Sequence, residues 1–158
     1  MAGMMSAAHA MKHPRGNKPK AFRQAVVLIV DDEVDIVLPL ARILEKALPT
    51  AKIFPALSPE EALEFAKDQP IDLVISDQRM PGMTGEDLLG LLRMQQGNPA
   101  GILMSGWVSE GLEYRVRNTA KAVAVLAKPF DAMALVAQVR EILAMRGKAQ
   151  RIHGRLPG

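Results

Sequence analysis

The sequence predicts an α/β fold in which a parallel β-sheet is covered by helices on both faces. From Val26 onward, short aliphatic runs alternate with longer stretches of helical period, which is typical of a chain that forms strands and helices in turn. The aliphatic runs also lack a polar residue at every second position, so the strands have no solvent-facing side. Both observations favour a sheet that is buried between two layers of helices.

Five segments are predicted as the strands of this sheet. Each is a short, mostly apolar run that ends near charged residues, glycine or proline. They are Val26–Val30, Lys52–Pro55, Ile71–Ser76, Gly101–Ser105 and Val123–Ala127.

A helix is predicted after each strand. Ser58 and Thr84 each precede a helical pattern and have the side-chain oxygen that an N-terminal cap requires, so two helices are expected to begin beside them. In the first helix we expect Ile36, Leu40, Ile43 and Leu44 to share the buried stripe, together with Ala47. The expected helices are Val34–Leu48, 58–67, 84–96, Ser109–Asn118 and a last one that ends at about Met145.

The composition indicates one globular domain and excludes several classes of protein. The chain has 158 residues, of which 49% are hydrophobic and 23% charged, as is usual for a folded domain. It contains no cysteine, which excludes a disulfide scaffold and thiolate metal sites. No apolar run approaches the roughly 18 residues that a membrane span needs. We therefore expect a cytoplasmic protein without membrane contact.

Both ends of the chain are basic, whereas all 17 acidic residues lie between Asp31 and Glu141. Short charged ends are usually solvated, so residues 1–24 are expected to be a flexible basic leader and residues 147–158 a basic tail. Residues 25–146 are expected to form the domain. Since nothing after the last predicted helix is long enough to fold, we expect no attached DNA-binding domain.

Side chains with acidic, hydroxyl and amine groups come at the predicted carboxyl ends of the strands. Asp31 and Asp32 follow the first strand, Asp77 follows the third, Ser105 ends the fourth, and Lys128 follows the fifth. Ligands of open parallel sheets bind beyond this edge. We therefore expect these five side chains to form one site.

This set of groups suits phosphoryl transfer assisted by a divalent cation. Three neighbouring carboxylates repel one another unless a cation lies among them, and hard oxygen ligands favour Mg²⁺, with Mn²⁺ as the alternative. A carboxylate in such a site can attack phosphorus and form an aspartyl phosphate. An ammonium group and a hydroxyl can then contact the remaining phosphoryl oxygens.

Four segments at these strand ends make the chain resemble the receiver domain of bacterial two-component response regulators. They cover the span from about residue 25 to residue 145 and are Val26–Glu33, Asp72–Met83, Leu103–Gly106 and Leu126–Phe130. The resemblance implies a flavodoxin-like, doubly wound (βα)5 three-layer sandwich with five parallel strands in the order 2-1-3-4-5.

The resemblance also implies the roles of the acidic residues. Asp77 would accept a phosphoryl group from a sensor histidine kinase or a phosphotransfer protein. Asp32 would bind the metal directly and Asp31 largely through water, while Asp77 and the backbone carbonyl of Arg79 would complete the metal ligands.

For the other side of the site, the resemblance implies that Ser105 moves to hydrogen-bond the phosphoryl group and that Lys128 forms a salt bridge with it. The Lys128–Pro129 peptide bond is expected to be cis. The family's usual tyrosine or phenylalanine, whose rotation reports phosphorylation, is replaced by Val125. Signal transfer is therefore expected to use backbone and helix shifts near Ser105 and residues 109–121, to use another side chain, or to be weak.

The expected output is a change in binding to a downstream protein effector. Homodimerisation through the fourth helix, fifth strand and fifth helix is a second expected output. The chain is expected to be a stand-alone switch or phosphoryl relay, with the receiver of a larger regulator that has a separate output domain as the alternative. Two other classes stay open. One is a Mg²⁺-dependent aspartyl phosphatase, although Arg79 stands where such an enzyme has a second carboxylate. The other is a nucleic-acid binder that uses the basic ends.

Overall fold

The computed structural model describes residues 23–118 and 124–153. This part of the chain contains seven strands and five helices, which alternate except where three strands follow one another between the second and third helices. In chain order they are β1 (Ala25–Val30), α1 (Val34–Ala47), β2 (Ala51–Ala56), α2 (Pro59–Asp68), β3 (Leu73–Asp77), β4 (Arg79–Met80), β5 (Met83–Thr84), α3 (Gly85–Gln96), β6 (Ala100–Ser105), α4 (Glu110–Asn118), β7 (Ala124–Ala127) and α5 (Ala132–His153).

Five of the strands form one parallel sheet in the order β2-β1-β3-β6-β7. Counted among themselves, these strands have the order 2-1-3-4-5, so the expected topology is confirmed. The two short strands β4 and β5 form a separate antiparallel pair where the sequence indicates only a loop. Gly82 lies in the turn between them with a φ of 81°, a conformation that glycine adopts without strain.

The core lies on both faces of the sheet, because successive side chains of each strand point to opposite sides. In β1, Val26, Leu28 and Val30 join the cluster under α2, α3 and α4, whereas Val27 and Ile29 join the cluster under α1 and α5. All five side chains are buried. The molecule is therefore the three-layer sandwich that was expected.

Two helices begin at the predicted caps. The backbone N–H of Glu61 donates to Ser58 Oγ at 3.1 Å, and that of Asp87 donates to Thr84 Oγ1 at 3.1 Å. These bonds satisfy amides that have no partner within the first turn of a helix. The caps fix where α2 and α3 start on their face of the sheet.

The predicted buried stripe of α1 is partly wrong. Val37 and Ala41 are buried beside Leu40 and Leu44, whereas Ile43 is 36% exposed. One side of this helix is charged, but the apolar arc that remains is wider than the stripe that packs on the sheet, so the sequence period does not decide which part of that arc is buried. The charged residues are Asp35, Arg42, Glu45 and Lys46.

Two boundaries differ from the prediction by more than one residue. β3 begins at Leu73 rather than Ile71, although the backbone of Asp72 still bonds to both neighbouring strands: its N–H donates to the carbonyl of Val26 and its carbonyl accepts from the N–H of Ala100, both at 2.9 Å. The Asp72 carboxylate accepts from Arg23 Nη1 and from the backbone N–H of Val26, both at 2.8 Å. The predicted first residue of the last strand, Val123, lies outside the described residues, and β7 is described from Ala124 onward.

The second difference is α5, which continues to His153 rather than ending at about Met145. Residues 146–153 carry no apolar stripe, but lysine, arginine, alanine and glutamine favour helix even without one. The beginning of the predicted tail is thus helical, and residues 154–158 lie outside the described residues, as do residues 1–22 of the predicted leader. Within the two described ranges, no helix combines the length and the apolar character needed to cross a bilayer.

Candidate functional site

The three aspartates predicted to meet lie together at the carboxyl edge of the sheet. Asp31 follows β1, Asp32 comes next in the chain, and Asp77 is the last residue of β3. One carboxylate oxygen from each lies within 4.8 Å of the other two. Strands β1 and β3 are hydrogen-bonded neighbours, and this pairing brings the three side chains to one place.

Lys128 lies between two of these carboxylates. Its Nζ atom is 2.9 Å from Asp77 Oδ1 and 3.0 Å from Asp31 Oδ2. The side chains are 19%, 10% and 0% exposed for Lys128, Asp77 and Asp31. Because water reaches this group poorly, its charges interact more strongly than charges on an open surface.

The backbone around Lys128 holds it at this edge. Its N–H donates to the carbonyl of Ser105 at 2.8 Å, which ties the end of β7 to the end of β6. The Lys128–Pro129 peptide bond is cis, as the resemblance implies.

The electrostatic environment raises the pKa of Asp77 and also that of Lys128. Burial, together with the nearby charges of Asp31 and Asp32, raises the pKa of the Asp77 carboxyl, and Lys128 offsets this only in part. Burial alone would lower the pKa of Lys128, but its hydrogen bonds to Asp77 and Asp31 outweigh that effect and raise it. The site is therefore short of positive charge and would gain from a cation.

The donor set fits a hard divalent cation. All three groups that converge are carboxylates, which Mg²⁺ prefers as ligands. Asp32 is exposed, whereas Asp31 is fully buried and already has both oxygens engaged. Its Oδ1 atom accepts from the backbone N–H of Glu33 at 3.0 Å, and its Oδ2 atom accepts from Lys128.

Ser105 lies at the same edge, but its hydroxyl forms hydrogen bonds within its own loop. It donates to the carbonyl of Trp107 at 2.7 Å and accepts from the N–H of Trp107 at 3.2 Å. Ser105 is only 3% exposed. The structure thus brings Ser105 to the site and places its hydroxyl in a tight turn that leads towards α4.

Two residues near the aspartates, Gln78 and Glu86, are not predicted from the sequence to belong to the site. Gln78, directly after Asp77, donates from Nε2 to Glu86 Oε1 at 2.8 Å and accepts from the N–H of Glu86 at 3.1 Å. The same Glu86 oxygen lies 3.2 Å from Arg115 Nη2 on α4. The sequence feature that could have pointed to this contact is Glu86, an acidic residue in the first turn of a predicted helix. An acidic residue at that position is normally explained by its favourable interaction with the helix dipole alone.

Known proteins share this arrangement of strands and strand ends. Residues 27–140 match the response regulator receiver domain family. Over 132 residues the chain is 31% identical to the hydrogenase transcriptional regulatory protein HoxA of Cupriavidus necator, covering 83% of this chain and 27% of HoxA. Over 128 residues it is 34% identical to the transcriptional regulatory protein YvrH of Bacillus subtilis, covering 75% of this chain and 49% of YvrH. The chain thus spans about half or less of the length of these relatives.

A solved structure shows the same fold over nearly its whole length. It is the response regulator receiver domain protein (CheY-like) from Methanospirillum hungatei, with a TM-score of 0.72 and 26% identity, covering 79% of this chain and 98% of that one. With the family match over residues 27–140, the conclusion is that the chain belongs to the response regulator receiver domains, the phosphoryl-accepting switches of two-component signalling.

Proposed function

We propose that Asp77 of this chain accepts a phosphoryl group from a sensor histidine kinase or a phosphotransfer protein, and that the change controls a partner protein. The observation that carries the proposal is the position of Lys128, whose ammonium group contacts both Asp77 and Asp31. When a carboxylate beside a lysine is phosphorylated, its negative charge is replaced by that of the phosphoryl oxygens. The flexible lysine side chain can then move its ammonium group to contact one of those oxygens. Asp31 has the same partner, but it is fully buried and both of its oxygens already accept hydrogen bonds. Asp77, whose side chain is 10% exposed, is therefore the carboxylate that a phosphoryl donor can reach.

In the transfer step, Asp77 supplies the attacking oxygen and Lys128 contacts the phosphoryl group that arrives. An oxygen of Asp77 attacks the phosphorus atom, the new O–P bond forms as the P–N bond to the donor histidine breaks, and the leaving imidazole nitrogen takes a proton from solvent. Lys128 contacts one phosphoryl oxygen and thereby balances part of the charge that arrives. The product is a mixed anhydride between Asp77 and phosphate.

Asp32 and Asp77 are the proposed direct ligands of Mg²⁺ or Mn²⁺, with the backbone carbonyl of Arg79 as a further ligand. Asp31 is proposed to act mainly through water, because Lys128 and the N–H of Glu33 already occupy its two oxygens. When bound, the ion supplies positive charge to the phosphoryl oxygens.

The proposed output surface consists of α4, β7 and α5. Tyr114 on α4 and Met133 on α5 are 71% and 62% exposed, and large side chains of this kind are common in protein contacts. Val125 lies in the middle of β7, packed against the core, and offers no aromatic ring to this surface. A downstream effector or a second copy of the chain is proposed to bind here after phosphorylation.

Labelling with a small phosphoryl donor tests this function. Incubation with acetyl phosphate and Mg²⁺ is expected to add one phosphoryl group to the intact mass of the protein. Asp77→Asn should abolish the gain because an amide is not a nucleophile for this reaction. Asp87→Asn is the matched control, since Asp87 is an exposed residue of α3, and it should be labelled like the wild type. A wild type that no donor labels, or an Asp77→Asn variant that is labelled equally, contradicts the proposal.

A further inference from the structure

A chain of polar contacts runs from the residue beside Asp77 to α4. The side-chain amide of Gln78 binds Glu86 through both of its ends, at 2.8 and 3.1 Å. Glu86 then binds Arg115 through the oxygen that also accepts from Gln78. The side chain of Glu86 is only 19% exposed, so these contacts are partly shielded from water. Three side chains thus connect the proposed phosphorylation site with a helix of the proposed output surface.

The Asp77 end of this chain is rigidly held. The N–H of Gln78 donates to the carbonyl of Met104 at 2.8 Å, and the N–H of Gly85 donates to the carbonyl of Gln78 at 3.0 Å. At Gly85, even a single added methyl carbon would lie 2.5 Å from the carbonyl oxygen of Asp77. The start of α3 is therefore packed directly against the backbone of the phosphoryl-accepting residue.

The other end of the chain, in α4, is anchored more lightly. Among its nine residues, Leu112 and Val116 are the buried ones. The residues before it form the turn in which the Ser105 hydroxyl binds the backbone of Trp107. Elements with few buried apolar contacts move at low cost in free energy. Of the two helices that the Glu86–Arg115 contact joins, α4 is the one able to shift.

The Ser105 turn and a phosphoryl group on Asp77 compete for the same hydroxyl. Ser105 cannot donate to a phosphoryl oxygen while it donates to the carbonyl of Trp107, because a hydroxyl has one proton to donate. If Ser105 turns to Asp77, the bond to Trp107 is released and the loop that leads into α4 rearranges. The Glu86–Arg115 contact coexists with the Ser105–Trp107 bond in the arrangement described here.

We propose that Glu86 and Arg115 form a tether that holds α4 in the arrangement in which Ser105 binds Trp107, and so opposes activation. This inference rests on the proposed function of Asp77. A contact made in one of two conformations stabilises that conformation alone, so removing it moves the balance towards the other. By linkage, a variant without the tether binds a phosphoryl group or its mimic more tightly. Glu86 and Arg115 are thus positioning residues that act on the switch through α4.

Affinity for a phosphoryl mimic tests the tether. The probe is beryllium trifluoride with Mg²⁺, and its Kd for the full chain is measured by calorimetry. We expect Arg115→Ala to bind about two- to fivefold more tightly than the wild type, the range that corresponds to one partly exposed ion pair. Arg117→Ala removes the same charge from an exposed position of the same helix and should leave the Kd unchanged. A purely structural role of Arg115 in both conformations would also leave the Kd unchanged.

A double-mutant cycle provides the second test. Glu86→Gln should tighten binding in the same direction as Arg115→Ala, and the double variant should bind no more tightly than either single one, because both changes remove the same contact. Equal or weaker binding by Arg115→Ala, or additive effects in the double variant, overturns the tether. If the wild type binds no beryllium trifluoride and is not labelled by acetyl phosphate, the proposed function of Asp77 fails, and the tether fails with it.

Discussion

Gly85→Ala is expected to lower the free energy of unfolding by about 3 kcal/mol, the upper part of the usual range for added volume in a packed core. The added carbon would lie 2.5 Å from the carbonyl oxygen of Asp77 and 2.9 Å from Leu103 Cδ2. A side chain such as Leu103 can move, but the Asp77 carbonyl belongs to the central sheet. The start of α3 must therefore be displaced. Urea denaturation curves of the wild type and the variant measure the loss.

Gly90→Ala in the same helix is the matched control for this substitution. Apart from the adjacent backbone of α3 itself, no atom lies within 4 Å of the carbon that it would add, and alanine favours helix over glycine by about 0.5–1 kcal/mol. The control should therefore be slightly more stable than the wild type. If Gly85→Ala is as stable as Gly90→Ala, α3 is not packed against Asp77 in the way described here.

Lys128→Met is expected to lower the free energy of unfolding by about 2 kcal/mol in the absence of divalent cations. The substitution keeps an unbranched side chain but removes the ammonium group that lies 3.0 Å from Asp31 and 2.9 Å from Asp77. Breaking a fully buried ion pair costs roughly 3–5 kcal/mol, and the partial exposure of Lys128 reduces that figure. Denaturation in the presence of a chelator measures the effect.

Lys67→Met provides the comparison for the lysine variant. Lys67 forms an ion pair with Glu64 at 2.6 Å, but both side chains are largely exposed, and such pairs contribute little. The variant should unfold close to the wild type. Equal stability of Lys128→Met and Lys67→Met would show that the carboxylates of the site do not depend on Lys128.

The parts of the fold that the sequence predicts well depend on local signals. The apolar run Val26–Val30 can be buried on both faces only as a central strand, and the caps Ser58 and Thr84 mark the starts of α2 and α3 within a residue. The proximity of Asp31 and Asp77 can be predicted in the same way, because each lies at the carboxyl end of a predicted strand and parallel strands bring these ends to one edge of the sheet.

The features that the sequence does not predict depend on contacts between distant residues. The choice between Ile43 and Val37 as the buried residue of α1 depends on how the helix rotates against the sheet. The bonds of the Ser105 hydroxyl depend on the loop that follows β6. The contact between Glu86 and Arg115 joins two helices that are 29 residues apart at these positions, and no local pattern indicates it.

The central claim is that Asp77 itself carries the phosphoryl group, and its direct test is chemical mapping of the labelled residue. Borohydride reduces an aspartyl phosphate to homoserine and leaves free aspartates unchanged, so peptide mass spectrometry of protein labelled in Mg²⁺ identifies the acceptor. Homoserine is expected at position 77 alone. Homoserine at Asp31, Asp32 or another position, with aspartate unchanged at 77, would contradict it.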